Sequence, residues 1–311
     1  MFHEVNKLIK KILMNTANFK FKGTGVAIVT PFRSDDSIDF KALTNLVNYQ
    51  ISNGVDYIVV LGTTGESVTL SNDEKHAVVD TVIEAVNKRV PIVIGIGGNH
   101  TQEIIHKIKS FDFANIDAVL SVSPYYNKPT QQGIYEHYKA IASVSPLPVM
   151  LYNVPGRTGS NISTDTTLRL ANDFKNIIAT KEASCNLQQV MDILKNKPKD
   201  FQLISGDDAL TFPIVCLGGI GSISVVANAF PKEFSEMVNL ALDKKVAQAR
   251  TIHYQLIDII SSLFADGSPA GVKAALSMKK LAANHLRLPL VPISQGTFNK
   301  LAEQIKGLEG K

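Results

Sequence analysis

The sequence is poor in cysteine and has no long apolar run, and each absence excludes a class of protein. Its two cysteines, Cys185 and Cys216, form no CxxC pair, so no disulfide framework is expected. A reducing cytoplasm is the simplest compartment for such a chain. No apolar stretch reaches the ~20 residues that a membrane-spanning helix needs, and we expect no association with a membrane.

The chain also lacks a strong excess of charge of one sign. Lysine and arginine total 32 against 28 aspartate and glutamate residues, which gives a net charge of +4. This mild excess is spread along the chain and favours neither nucleic-acid nor membrane binding. The seven histidines form no HxH or HExxH spacing. We therefore expect no metal site.

What is present is an ordinary globular composition, 45% hydrophobic and 19% charged over 311 residues. We divide the chain into an N-terminal extension over 1–18, a core over 19–242 and a C-terminal helical extension over 243–311. The extension has a weak basic amphipathic pattern but not the apolar core of a secretory signal. Met14 begins a plausible shorter chain, and we predict that residues 1–13 are dispensable.

Within the core, β-branched apolar segments alternate with amphipathic ones, as in βα units around a parallel sheet. The predicted strands are Gly25–Thr30, Tyr57–Leu61, Pro91–Ile96, Ala118–Val122, Val149–Tyr152, Ile177–Thr180, Gln202–Ser205 and Gly221–Val226. A helical pattern follows each strand, and Ser71 with Glu74 opens one of them as a capping box. This count predicts a (β/α)8 or TIM barrel. A doubly wound sheet is the alternative, but no glycine-rich dinucleotide turn follows the first strand.

After residue 242 the strand pattern stops. Helices are predicted over 244–264, 270–285 and 296–308, separated by Asp266–Pro269 and by prolines near residue 290. No linker or low-complexity segment separates them from the core. We interpret them as a helical extension packed on the barrel.

In such a barrel, the active site is expected at the carboxyl ends of the strands. The sixth strand is an apolar run that ends on Lys181. Burial disfavours an ammonium ion, and a neutral amine can attack a carbonyl carbon to form a Schiff base. Lys181 is therefore the candidate nucleophile, although this stretch alone also fits a surface lysine at a turn.

Other strand ends carry polar groups with two interpretations each. Tyr152, one strand over, could relay protons or simply pack. Arg157 could bind a carboxylate in a bidentate manner or cap a helix. The small-residue turn at 62–65 could hold an anion through its N–H groups, or its glycines could be purely geometric. Asp207 and Asp208 most simply supply a helix N-cap.

Several motifs then appear in a characteristic order and spacing. They are GTTGES at 62–67, SPYYN at 123–127, YNVPGRTG at 152–159, TKEAS at 180–184 and SGDD at 205–208. Over about residues 20–308 the chain resembles the dihydrodipicolinate synthase family of the pyruvate-dependent class I aldolases. The resemblance implies a lyase that condenses pyruvate with L-aspartate 4-semialdehyde to 4-hydroxy-tetrahydrodipicolinate, in lysine and diaminopimelate biosynthesis. It implies no metal or organic cofactor.

On matching positions, the resemblance also implies individual roles. Lys181 forms the imine with pyruvate, and Thr64 holds the pyruvate carboxylate. Thr63 links two tyrosines in a proton relay, Tyr152 and Tyr126, the latter reaching in from a neighbouring subunit.

The resemblance places further residues around this centre. Arg157 binds the carboxylate of aspartate semialdehyde at the entrance. Gly206 and the carbonyl of Ile223 line the site beside the lysine. Ser184-Cys185 stands where the synthases often have Thr-Gly, and the loop Asp266–Pro269 is not the commonest form.

Alternatives remain within this resemblance. N-acetylneuraminate lyase, or a related sugar-acid aldolase, shares the lysine and the GxxGE turn, but Arg157 and the paired threonines favour the synthase. A barrel that only senses pyruvate-like acids is a third possibility. A homo-oligomer is implied, a tight dimer paired into a tetramer, and the sequence does not decide between dimer and tetramer.

Many family members are inhibited by lysine bound in a cleft at the dimer interface. The matching positions are Ser67, Asn99, Glu103 and Tyr125. Two nearby positions differ. Asn72 stands where sensitive enzymes often have histidine, and Lys75 stands where they have histidine or glutamate. A cation at Lys75 should repel the ammonium of a lysine ligand, so we predict weak or absent feedback inhibition.

Overall fold

The computed structural model describes residues 20–310, and its eight parallel strands close into a barrel in chain order. Each strand pairs with the next, and β8 pairs with β1 with Ile223 opposite Gly25. The strands are Gly23–Ala27 (β1), Tyr57–Val60 (β2), Ile92–Gly95 (β3), Ala118–Val122 (β4), Val149–Asn153 (β5), Ile177–Glu182 (β6), Gln202–Ser205 (β7) and Gly221–Ser224 (β8). The predicted TIM barrel is confirmed. The predictions for residues 1–18 lie outside the described residues.

Helices surround this barrel and continue after its last strand. They are Phe40–Ser52 (α1), Asn72–Val86 (α2), Thr101–Ser110 (α3), Gln131–Val144 (α4), Pro155–Thr158 (α5), Thr164–Asp173 (α6), Leu187–Asn196 (α7), Thr211–Cys216 (α8), Pro231–Leu242 (α9), Val246–Phe264 (α10), Ala270–Met278 (α11) and Gln295–Glu309 (α12). None of the helices between residues 20 and 310 is long and apolar enough to cross a membrane.

The helices begin where capping side chains satisfy their free N–H groups. Ser71 and Glu74 form the predicted capping box at α2, with the Ser71 N–H donating to Glu74 Oε2 at 2.9 Å. The Asp39 carboxylate accepts from the Ala42 N–H at α1, and the Thr130 hydroxyl accepts from the Gly133 N–H at α4. Such caps fix the start of each helix, and each stabilises the fold by about 1 kcal/mol.

Two apolar layers hold the structure together. One lies inside the barrel, where Tyr57 packs edge-to-face on Phe21 and donates to the Ser222 carbonyl oxygen at 3.2 Å. Gly25 makes room for that ring, since a Cβ there would lie 2.2 Å from it. The other layer lies between strands and helices, and Val272 of α11 belongs to it. The C-terminal helices therefore share the core of the barrel.

Several boundaries differ from the prediction, and β1, for example, spans Gly23–Ala27 instead of Gly25–Thr30. β6 extends beyond Thr180, because Lys181 and Glu182 both pair with β5 and β7. The helix predicted over 270–285 ends at Met278. Lys280 adopts a left-handed φ of 58°, and its N–H closes the last turn on the Ser277 carbonyl oxygen at 3.0 Å.

The paired aspartates also behave differently from each other. The Asp207 carboxylate accepts from the Leu210 N–H at 3.1 Å, just before α8 begins. The N-cap interpretation is wrong, because Leu210 occupies the N-cap of α8. Asp208 is instead buried and accepts from the Val225 and Val226 N–H groups at 3.0 and 3.2 Å. Burial raises the pKa of Asp208 to about 6. Asp208 thus ties the end of β7 to the segment that follows β8.

Candidate active site

A cavity of about 710 Å³ opens at the carboxyl ends of strands β1 to β6. Among the residues predicted to act on substrate, Lys181, Tyr152, Thr63 and Arg157 line it. The cavity continues outward between α2 and α3, where Lys75 and Glu103 belong to its wall. Parallel strands that end together explain why residues far apart in sequence meet here.

Lys181 is 5% exposed and lies at the bottom of this cavity. It pairs directly with Tyr152 across the β5–β6 ladder, and its Nζ is 4.2 Å from the centroid of the Tyr152 ring. Among the ion pairs of residues 20–310, none includes Lys181. The amine therefore lines the cavity without a carboxylate partner.

The adjacent Glu182 does not pair with Lys181, because neighbouring side chains of a strand point to opposite faces. Its buried carboxylate accepts from Asn153 Nδ2 at 3.1 Å, the Ser184 N–H at 2.9 Å and Gln189 Nε2 at 3.1 Å. Burial raises the pKa of Glu182 despite these bonds. This polar cluster fixes the strand end from behind and leaves the front of the strand to the lysine.

Gly206 lies against the stem of the lysine. A Cβ at this position would lie 3.0 Å from Lys181 Cε and 2.9 Å from Ala183 Cβ. A side chain here would push the lysine aside. The predicted placement of Gly206 beside Lys181 therefore agrees with the geometry.

The turn at 63–65 presents its two threonines in different ways. Thr63 is exposed and lines the cavity, whereas Thr64 is 5% exposed and buried in the turn. The Thr30 hydroxyl donates to the Gly65 carbonyl oxygen at 2.7 Å and holds the turn against the loop after β1. Thr63 is therefore open to the cavity, and Thr64 is held within the turn beside it.

Arg157 and Ile223 occupy opposite environments. Arg157 lies exposed on the short helix α5 at the cavity rim, and no ion pair within residues 20–310 involves it. Ile223 is 1% exposed and packs in the barrel interior with Tyr152.

Tyr126 is the predicted site residue that this chain does not bring to Lys181. It is 88% exposed, adopts a left-handed φ of 72°, and does not line the cavity. Its N–H donates to the Thr158 carbonyl oxygen at 3.3 Å, which fixes the loop but not the side chain. Its neighbour Tyr125 does line the cavity.

The positions matched to a lysine site gather at the outer part of the cavity. Ser67, Glu103 and Tyr125 line it, and Asn99 Nδ2 donates to the Tyr125 carbonyl oxygen at 3.3 Å. Glu103 is already paired with Lys107, at 2.5 Å.

Sequence reasoning missed a cluster behind the threonine turn, formed by Glu66, Lys273 and Arg287. Lys273 is fully buried and pairs with Glu66 at 2.5 Å. The signal that could have found it is a single lysine in the otherwise apolar helix AGVKAALSM. A charge at such a position needs a buried partner.

Known proteins resemble this chain over nearly its whole length. A family model for the dihydrodipicolinate synthetase family matches residues 20–308. A 4-hydroxy-tetrahydrodipicolinate synthase of Parabacteroides distasonis is 54% identical over 95% of this chain and 99% of its own length.

Two solved structures share the fold closely. The dihydrodipicolinate synthase of Acinetobacter baumannii, solved in complex with pyruvate, is 40% identical with a TM-score of 0.90, over 93% of this chain and 99% of that one. The enzyme of Cyanidioschyzon merolae, solved with lysine bound, is 38% identical with a TM-score of 0.89, over 93% of this chain and 98% of that one. This chain belongs to the dihydrodipicolinate synthetase family.

Proposed function

We propose that the chain condenses pyruvate with L-aspartate 4-semialdehyde through a Schiff base on Lys181. Relatives about half identical over nearly the whole chain are 4-hydroxy-tetrahydrodipicolinate synthases, and the chain is a lyase of this kind. The observation that carries the mechanism is the buried, cavity-facing Lys181 without a carboxylate partner. The substrates are therefore pyruvate and the semialdehyde, and the product is 4-hydroxy-tetrahydrodipicolinate.

The chemistry asks three things of the protein. A neutral amine must attack the keto carbon, and loss of water then leaves the imine. A base must remove a proton from the pyruvate methyl group to form the enamine, whose carbon attacks the aldehyde. A donor must then meet the charge that develops on the aldehyde oxygen. Tyr152, beside the lysine, is our candidate for the proton transfers.

The remaining substrate contacts are assigned from the family resemblance. Thr64 would hold the pyruvate carboxylate, and Thr63, at the cavity surface, would pass protons to Tyr152. Arg157 at the rim is free to pair with the carboxylate of the semialdehyde in a bidentate manner. Gly206 and the carbonyl of Ile223 would line the site beside the imine.

The sugar-acid lyase is less well supported than the synthase. A lyase for sialic or sugar acids needs hydroxyl donors for a polyol chain at the rim, where this chain has the exposed Arg157. The full-length relatives are also named as synthases. A sensor without activity would have no need for an unpaired lysine placed beside a tyrosine.

We further propose that the working unit is a homo-oligomer, at least a dimer and by the family resemblance a tetramer, in which Tyr126 completes the partner's relay. The support is that Tyr126 is 88% exposed and does not line the cavity of its own chain. Mixing Tyr126→Phe and Lys181→Ala subunits should restore some activity through hybrids. No recovery after proven subunit exchange would mean that each site is complete within one chain. The two unpaired cysteines fit our proposal of a cytoplasmic location.

For regulation, we propose a site at Ser67, Asn99, Glu103 and Tyr125 that binds free lysine weakly at best. An incoming ammonium would need Glu103, which Lys107 already occupies at 2.5 Å. Lys75 adds a second cation nearby, and burial together with Lys107 lowers the pKa of Lys75. Like charges at ~4–6 Å repel by a few kcal/mol at an effective dielectric near 20.

Borohydride trapping tests the central proposal. Incubation with pyruvate and borohydride should reduce the imine and add a stable adduct, which peptide mass spectrometry should place on Lys181. Lys181→Ala should lose the adduct and nearly all activity while keeping its unfolding midpoint. An adduct on a different lysine, or no adduct in an active enzyme, would refute the assignment.

A further inference from the structure

The C-terminal helices place a lysine directly behind the threonine turn. Lys273 of α11 is 0% exposed, and its Nζ is 2.5 Å from Glu66 Oε1. The same Nζ donates to the His285 carbonyl oxygen at 2.9 Å and lies 4.1 Å from the centroid of the Phe32 ring. A buried ion pair of this kind is weak evidence for stability, because desolvation offsets the attraction. Its geometry is better explained by a role in orienting Glu66 and the turn to which Glu66 belongs.

Glu66 is part of the turn that carries the threonines. Its N–H donates to the Thr63 carbonyl oxygen at 3.1 Å, and its own carbonyl oxygen accepts from the Thr69 N–H at 2.9 Å. Its backbone is left-handed, with φ 51° and ψ 34°. This conformation is uncommon for residues other than glycine. The Glu66 carboxylate anchors the residue in it through Lys273 of α11 and the Arg287 N–H.

Arg287 also contacts this turn. Its N–H donates to Glu66 Oε2 at 3.2 Å, and its guanidinium donates to the Thr69 carbonyl oxygen at 3.0 Å. The guanidinium also pairs with both carboxylate oxygens of Glu74 on α2. Lys273 and Arg287 thus fix both carboxylate oxygens of Glu66, one each.

We infer that Lys273 is a positioning residue for the keto-acid site, acting through Glu66 on the turn that presents Thr63 and Thr64. This inference rests on the proposed substrate roles of those threonines. Reacting groups must be held within a fraction of an ångström, and small misplacements are costly in rate. The C-terminal helices therefore set the precision of the site without touching the substrate.

The test separates positioning from stability. Lys273→Met leaves Glu66 charged and without its ion-pair partner, and this variant should be destabilised. The double variant Glu66→Gln/Lys273→Met removes both charges and should regain most of the lost stability. It should nevertheless keep a KM for pyruvate raised at least tenfold, because the neutral pair no longer fixes the turn. Lys300→Met, an exposed lysine of α12, is the matched control and should behave as wild type.

Stability and the KM for pyruvate together distinguish positioning from a purely structural role. A double variant with wild-type stability and a pyruvate KM within twofold of wild type would overturn the inference and leave the pair a structural contact. If the double variant does not fold, Glu66→Gln carries the same test with the same tenfold threshold. It preserves side-chain size, and Lys273 can lose its proton, since burial lowers its pKa to about 8. Borohydride trapping of the wild type keeps the two proposals apart: a failure there counts against the Schiff base and not against the positioning.

Discussion

Two lysines of the described chain are buried, and they differ in whether a carboxylate lies beside them. Both lie over an aromatic ring, with Nζ 4.2 Å from the Tyr152 centroid for Lys181 and 4.1 Å from the Phe32 centroid for Lys273. Only Lys273 has a carboxylate beside it. A paired lysine can hold a structure together, whereas an unpaired one at a cavity is available for chemistry. The carboxylate partner, and not burial, distinguishes the two.

The largest expected effect comes from changing the ring beside each lysine. Tyr152→Phe keeps the ring but removes the hydroxyl, so kcat should fall by ~10²–10⁴, the range for general acid–base catalysis. Its free energy of unfolding should stay near that of wild type. Phe32→Leu should show the reverse pattern, a loss of ~1 kcal/mol in stability from a smaller buried side chain with a smaller change in kcat. Steady-state kinetics and urea unfolding of both variants check this.

An active Tyr152→Phe enzyme would contradict the relay. A Phe32→Leu enzyme that is fully stable but inactive would erase the contrast between the two lysines.

The chain's pattern predicted one lysine and not the other, for a physical reason. Lys181 ends an apolar strand, and strand ends of a barrel meet at one face, so local sequence places its chemistry. Lys273 depends on Glu66, more than 200 residues away in the chain. Such a contact is visible only after the C-terminal helices are docked on the barrel. The early end of α11 likewise could not be predicted from the local sequence. Nor could the contacts of Asp208, because its backbone partners lie beyond β8, the next strand.

A second test moves Lys181 itself. Gly206→Ala places a methyl group 3.0 Å from the lysine Cε, and displacement of the amine should lower kcat/KM about 10–100-fold. Gly156→Ala is the matched control, because nothing lies within 4 Å of a Cβ there and its φ is ordinary. Kinetics with varied pyruvate would measure both. Equal, small effects from the two substitutions would show that the lysine stem adjusts freely.

A third test concerns Lys75, which is half-buried near Lys107 and Glu103. Wild type should show little inhibition at sub-millimolar lysine. Lys75→Glu should strengthen lysine binding at least tenfold, equivalent to ~1.4 kcal/mol. Lys41→Glu, an exposed charge reversal on α1, controls for net charge. Strong inhibition of the wild type in an activity titration would mean that the repulsion argument is wrong.

The smallest effect is expected at the rim of the Lys273 cluster, in the pair of Arg287 with Glu74. Hydrogen bonds from Arg287 lower the pKa of Glu74 to about 2. A carboxyl whose pKa falls on folding adds stability above its ordinary pKa near 4.5, and that stability is lost as the pH falls toward 2. The Glu74 side chain is 31% exposed, so solvent screening limits the gain to ~1 kcal/mol. Arg287→Met should therefore lower the free energy of unfolding more at pH 7 than at pH 3.

Urea unfolding at pH 7, 5 and 3 measures that difference. Arg169→Met is the control, since Arg169 is exposed and reaches Asp173 only at 3.8 Å, and its effect should not vary with pH. A constant effect of Arg287→Met across the series would assign its role to packing on Phe32, 4.5 Å away, and to its carbonyl partners. In that case the charge of Glu74 would not help to hold the threonine turn in place. The charge of Lys273, acting through Glu66, would be the one that holds it.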